Sequence, residues 1–150
     1  MINIVLVYPE IPNNTGNIGR LCVGMKAKLH LIKPYGFEIT DKNLKRSGLD
    51  YWVHLDWQEY ETKEDWYKQI KDEQRVFLFS SHASENYSKV NYKEGDWLVF
   101  GQESCGLSQE IKDRFAHKIH IPIAKEVRSF NLANSVAIAL SEANRQLQND

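Results

Sequence analysis

Cysteine is scarce in this chain: Cys22 and Cys105 are the only two in 150 residues. They are too few for a disulfide framework and lack the C-x-x-C spacing of a redox pair, which points to a reducing cytoplasm rather than an exported scaffold. Long apolar runs are missing as well. No stretch approaches the ~20 uninterrupted apolar residues of a membrane-spanning helix, and the start of the chain carries neither a basic region nor a cleavage site. Charge of one sign is not in excess: 19 basic residues face 20 acidic ones, a formal net charge of −1. That balance excludes a protein that coats nucleic acid through bulk charge, but leaves room for a local basic patch. Repeats, linkers and low-complexity tracts are also absent. One domain over residues 1–150 is therefore expected, with 42% hydrophobic and 26% charged residues supporting a single core.

What is present is an alternation of short β-type runs with helical patterns, the signature of an α/β domain with a largely parallel sheet. Residues 2–8 are almost continuously apolar and read as a buried strand. A turn-rich stretch follows, and 15–26 reads as a helix with Asn14 or Thr15 placed to cap it. Residues 28–33 form a second strand. A short helix is expected over 40–47, a β-like run over 51–57, and a helix opened by Thr62 with Asp65 three residues later. Strands over 75–80 and 97–100, a helix from Ser108 to about 115 and a strand over 118–122 complete the pattern. In the last helix, Leu132, Val136, Leu140, Ala143 and Leu147 form one apolar stripe. Residues 136–140 are apolar on nearly every side, so that segment should pack on two surfaces.

Polar residues and glycines gather after three of these strands, at the carboxyl ends where open α/β sheets place their ligands. The first segment runs from Pro9 to Arg20. Its Asn14 and Arg20 near a helix start suit an anionic or hydroxyl-rich ligand, and suit equally a capped helix with a surface arginine. The second, Gly101-Gln102-Glu103-Ser104-Cys105-Gly106-Leu107, enters and leaves through glycines that allow close backbone approach. It matches neither the dinucleotide fingerprint nor the phosphate loop. Glu103 is its notable residue, an acceptor for a ligand amine or hydroxyl. The third, from Val127 to Ser135, combines Arg128, Ser129, Phe130 and Asn131 just before the long helix, with Ser129 or Asn131 as its N-cap. Lys42, Lys45 and Arg46 share one face of the expected helix over 40–47, either as a basic patch or as an ordinary solvated face. His117 and His120, three apart on a strand, point to opposite faces, and no metal is expected.

Together, Asn14 with Arg20, the Phe-Gly-x-Glu-x-x-Gly-Leu run from Phe100 to Leu107, and Arg-Ser-x-Asn-Leu from Arg128 to Leu132 resemble the three motifs of the SPOUT-class RNA 2′-O-methyltransferases. The opening Tyr-Pro-Glu-Ile-Pro-Asn-Asn-Thr-Gly-Asn-Ile-Gly-Arg and the Gly48-Leu49-Asp50-Tyr51 stretch look most like the minimal branch of that class, which methylates the wobble nucleotide of leucine transfer RNAs. The resemblance implies a sheet with helices on both sides, a C-terminal deep trefoil knot, a homodimer, and S-adenosylmethionine as cofactor. It implies cofactor contacts at Phe79, Gly101, Ile121, Ser129 and Leu132, several through backbone groups. It also implies Arg20 at the target ribose, supported by Asn14, Glu103, Ser129 and Asn131. The transfer RNA would be met in its anticodon region, and no metal or membrane enters.

The implied reaction is an in-line displacement by a 2′-hydroxyl, so the enzyme's task is alignment. Two other classes compete. A non-catalytic α/β nucleotide- or RNA-binding module would share the fold, which alone never establishes activity. A hydrolase built on Ser104 or Cys105 would need a histidine base and a G-x-S-x-G elbow, and neither is identifiable.

Overall fold

The computed structural model describes residues 1–39 and 49–148. Strands β1 (Asn3–Val7), β2 (Lys28–Ile32), β3 (Trp57–Tyr60), β4 (Val76–Phe79), β5 (Glu85–Asn86), β6 (Trp97–Phe100) and β7 (His117–His120) form one sheet among the described residues. Their order is β3-β2-β1-β6-β4-β7-β5, and every pairing is parallel. Helices α1 (Pro12–Gly24), α2 (Leu49–Trp52), α3 (Lys63–Tyr67), α4 (Gln109–Arg114) and α5 (Leu132–Gln148) connect and cover it.

Both faces of the sheet are buried at its centre, which is why β1, β4 and β6 read as nearly unbroken apolar runs rather than alternating ones. In β1, Ile4 and Leu6 join a core with Ile18 and Cys22 of α1 and with Val136, Leu140 and Ala143 of α5. Val5 and Val7 face the other way, into a core with Trp66 of α3 and Ile111 of α4. Burial pushes the Cys22 thiol up to about 12, so it behaves as a small apolar side chain.

Register positions the loops. Leu6 of β1 pairs with Phe100 of β6, and Leu78 of β4 with Val99, so these strands release their chains side by side at one edge. The connection from β1 runs to β2 on one side while β6 lies on the other, which makes the β1/β6 gap a topological switch point.

Several expected elements shift. Helix α1 begins at Pro12, earlier than expected, and its N-cap position, Ile11, makes no side-chain cap bond. Neither Asn14 nor Thr15 caps it, because both are buried inside the helix. Proline is preorganised for a first helical turn and has no amide to satisfy, so it moves the start forward. The β-like run over 51–57 resolves into helix α2, a turn, and a strand that starts only at Trp57, where pairing with Leu29 fixes the register. The strand expected over 118–122 is His117–His120, and the short β5 adds an edge strand where only a polar loop is expected. The Thr62 cap forms, accepting from the Asp65 amide at 3.2 Å. In α5, Val136, Ala139 and Leu140 are buried, while Ala137 and Ile138 are only half-buried. The basic trio Lys42, Lys45 and Arg46 lies outside the described residues.

Candidate active site

A cavity of about 600 Å³ opens at the carboxyl edge of the sheet. This is within the roughly 300–1,000 Å³ typical of small-molecule sites. All three polar segments contribute to it, together with the loop after β4. Its floor is aromatic: Phe79 and Phe100, at the ends of β4 and β6, stack with centroids 4.5 Å apart and planes 15° from parallel. Ile121 and Leu132 extend the apolar lining, and Gly101 and Ser129 bring backbone to the rim.

The glycines of the second segment have a geometric reason. Residues 102–106 fold back on themselves, the Gln102 amide donating to the Gly106 carbonyl at 3.2 Å and the Gly106 amide to the Gln102 carbonyl at 2.9 Å. A Cβ on Gly101 would come within 2.2 Å of the Gly106 carbonyl carbon, and Gly106 itself takes a φ of +71°. A side chain at Gly101 would force the loop to move, and the left-handed backbone at Gly106 favours glycine.

A chain of hydrogen bonds joins the three segments. The Glu103 carboxylate accepts from the backbone amides of Glu10 and Ile11, each at 2.9 Å, and from Asn14 Nδ2 at 3.3 Å. Asn14 Oδ1 accepts from Asn131 Nδ2 at 3.0 Å, and Asn131 Oδ1 accepts from the Asn134 amide at 3.2 Å. The carboxylate can only accept, so it fixes the Asn14 amide orientation, and Asn14 in turn fixes that of Asn131. Asn131 rather than Ser129 is thereby the side-chain N-cap of α5. Glu103 spends its oxygens on the protein's own donors and holds the Glu10 and Ile11 amides that lead into α1.

Glu10 returns the contact. Its Oε1 accepts from Ser104 Oγ at 2.7 Å and from the Ser104 amide at 3.0 Å, and these bonds hold its carboxyl below the usual range. The Ser104 hydroxyl is engaged by Glu10, and the Cys105 thiol lies 3.0 Å from Gln102 Oε1.

Asn14, Glu103, Asn131, Phe79, Gly101, Ile121, Ser129 and Leu132 all line the cavity. Arg20 does not. Six positions beyond Asn14 on a helix, it is turned about 120° around the axis. It is exposed, with its guanidinium 4.7 Å from the centroid of the Tyr51 ring. The sequence reading missed the Glu10–Ser104 contact, the Ser80 to His82 loop and Lys112, which also line the cavity or brace it. Only the loop carried a signal, as polar residues following a core strand.

The SpoU rRNA methylase family pattern matches residues 1–141. The chain belongs to the SpoU methylase family. The tRNA (cytidine(34)-2′-O)-methyltransferase of Methylovorus glucosotrophus is 45% identical over 148 residues, covering 97% of this chain and 96% of that protein. A solved structure that gives insights into the 2-OH methylation of C/U34 on tRNA superposes with a TM-score of 0.95 at 41% identity, covering 100% of this chain and 98% of that one. The SpoU methyltransferase AviRb from Streptomyces viridochromogenes, solved with AdoMet, has a TM-score of 0.87 at 20% identity over 98% of this chain and 58% of its own. That last likeness is one of fold alone.

Proposed function

We propose that this SpoU-family protein methylates the ribose 2′-hydroxyl of nucleotide 34 in transfer RNA, cytidine or a modified uridine, with S-adenosylmethionine as methyl donor and leucine isoacceptors as substrates. The observation that carries the reading is the cavity at the switch point, built by three segments that one hydrogen-bond chain locks together. The near-full-length relatives named for position 34 support the substrate.

The residues present fit the cofactor. Phe79, Ile121 and Leu132 offer an apolar lining to a flat base. Gly101 and Ser129 offer backbone groups for polar contacts. When bound, S-adenosylmethionine supplies a methyl carried on a sulfonium, with a neutral thioether as leaving group. Arg20 orients the 2′-hydroxyl or the adjacent phosphate. A guanidinium offers five N–H donors and no acceptor, so its part is alignment. Asn14, Glu103 and Asn131 keep the first turn of α1, which leads to Arg20, in register with the cavity.

The acting unit is a homodimer in the cytoplasm, with its C-terminal segment threaded as a trefoil knot. Apolar groups left uncovered support the dimer: Val127 is 49% exposed, Phe130 38% and Ile11 43%, beside the half-buried Ala137 and Ile138. The Asn131–Asn14 bond and the packing of α5 on α1 bring the last segment against the first.

The test is transfer of labelled methyl from S-adenosylmethionine to total transfer RNA, with the modified nucleotide mapped by mass spectrometry. A 2′-O-methyl at position 34 of leucine transfer RNAs is expected. Methylation elsewhere would overturn the substrate but keep the chemistry, while cofactor binding without transfer would leave a binding module. Arg20→Ala should lower transfer by about 100-fold or more with cofactor affinity nearly intact.

A further inference from the structure

We infer that Tyr51 is a positioning residue for this methyl transfer, holding the Arg20 guanidinium by its face so that the N–H edges stay free for the RNA. The inference rests on the function proposed above. An exposed arginine side chain ordinarily samples many rotamers, and ordering it costs part of any contact it makes. Among the described residues, no hydrogen bond or ion pair fixes Arg20; its contact is the Tyr51 ring, 4.7 Å from the guanidinium carbon. Stacking uses the flat face of the guanidinium. A salt bridge in its place would consume the donors that substrate oxygens need.

The ring is itself held. Helix α2 is one turn, closed by the His54 amide donating to the Tyr51 carbonyl and the Leu55 amide to the Trp52 carbonyl, each at 3.0 Å. Next to Tyr51, Trp52 sits against Gly19, the neighbour of Arg20. A Cβ on Gly19 would lie 2.8 Å from Trp52 Cζ3 and 3.4 Å from Leu55 Cδ2. On its other side Trp52 meets Trp57 of β3 at 5.1 Å, with the planes 61° apart. The missing side chain at Gly19 lets Trp52 dock, and the docked Trp52 presents its neighbour to Arg20. Tyr51 is 37% exposed, and the residue that anchors this turn is its half-buried neighbour Trp52 against Gly19.

The experiment compares Tyr51→Phe, Tyr51→Leu and Arg20→Ala in the whole chain, using labelled S-adenosylmethionine and unfractionated transfer RNA, with kcat, KM, cofactor affinity and thermal midpoint measured for each. Loss of the ring should lower kcat by about 2- to 5-fold, the range an exposed cation–π contact supports, with the midpoint shifted far less than by loss of a buried core residue and cofactor affinity unchanged. Phenylalanine should restore most of that loss, because the ring face is what acts. An impaired Arg20→Ala beside a fully active Tyr51→Leu would overturn the inference and leave the proposed function standing. So would a phenylalanine variant as impaired as the leucine one. A fully active Arg20→Ala would remove Arg20 from the reaction, and the inference with it.

Discussion

Strand β6 carries a carboxylate at each end, and the two do different work. Asp96, just before the strand, is 1% exposed and binds the Arg75 guanidinium twice, Nε to Oδ1 at 2.7 Å and Nη2 to Oδ2 at 2.6 Å. It also accepts from the Lys93 amide at 2.7 Å. Glu103, just after the strand, is half-buried and accepts from two backbone amides and one side-chain amide. Both fasten loops to the sheet with charge-assisted hydrogen bonds. At the amino end the tie closes one edge of the core, and Asp96 is not among the residues that line the cavity of the candidate site. At the carboxyl end the same chemistry holds the wall of the cavity. The difference teaches that a carboxylate's type and burial do not announce its role; the groups it fastens do.

The largest effect should come from breaking the amino-end tie. Asp96→Ala leaves the Arg75 guanidinium and the Lys93 amide without their acceptor, at a cost of about 3 kcal/mol. In a chain of this size that lowers the thermal midpoint by roughly 6–12 °C. Cofactor affinity per folded molecule should be unchanged, as measured by titration at a temperature where the variant is still folded. A matching loss of affinity would mean that the two ends of β6 are coupled.

Glu103→Gln should reverse the pattern. Glutamine keeps one acceptor oxygen but turns an NH2 group towards donors, so one of the three partners is opposed. Stability should fall by only about 1 kcal/mol, the worth of one such bond. Methyl transfer should fall by about 10- to 100-fold, since misplacement of about 1 Å has that effect on aligned reactants. Denaturant melts paired with transfer rates would separate the two losses. A variant that lost stability without rate would make Glu103 another Asp96.

The same contrast governs how much was legible in the sequence. Strands buried on both faces leave unbroken apolar runs, and loops that end at a ligand site leave glycines and polar residues; both patterns are local, and β1, β6 and the three site segments followed from them. The Glu103 tie to Glu10 spans 93 positions and the Ser104 bond to Glu10 spans 94, so no window along the chain contains either. The cap expected from Asn14 fails because Pro12 starts α1 ahead of it and leaves Asn14 inside the helix, while the Glu10 and Ile11 amides that lead into α1 are met from across the sheet. Tyr51 and Trp52 carry the strand preference of aromatic residues, yet they form a helical turn because Gly19 opens a seat for Trp52 on α1. Resemblance alone marks Arg20 as a candidate, and its contact with Tyr51 left no trace in the sequence. Nothing in the spacing connects positions 20 and 51.

The smallest effect sharpens the comparison through pH. His30 of β2 lies beside Trp97, which follows Asp96, with ring centroids 4.7 Å apart. Its Nδ1 is 2.9 Å from the Tyr60 hydroxyl and its Nε2 is 2.9 Å from Asn3 Oδ1. Burial, aided by the charge of Lys28, pushes it down to about 3. An unfolded histidine titrates near 6.5. Above that pH the ring is neutral in both states and costs nothing. Below it the unfolded chain takes up a proton that the folded chain refuses, so stability falls with decreasing pH by up to about 1.4 kcal/mol per unit, until the folded ring also titrates near pH 3. Replacing His30 with Gln removes this proton uptake, so the difference in unfolding free energy between the wild type and His30→Gln should shift by about 1 kcal/mol between pH 7 and pH 5.5. The Glu10 carboxyl works in the same direction at the other edge, because its bonds to Ser104 favour the ionised form and are lost as pH falls through the acid range. Melts of His30→Gln and Glu10→Gln over the same pH series would separate them, since the histidine contribution begins near pH 6.5 and the carboxylate contribution only below about 4.5. A His30→Gln profile parallel to the wild type throughout would show that the folded ring takes up its proton as readily as the unfolded one.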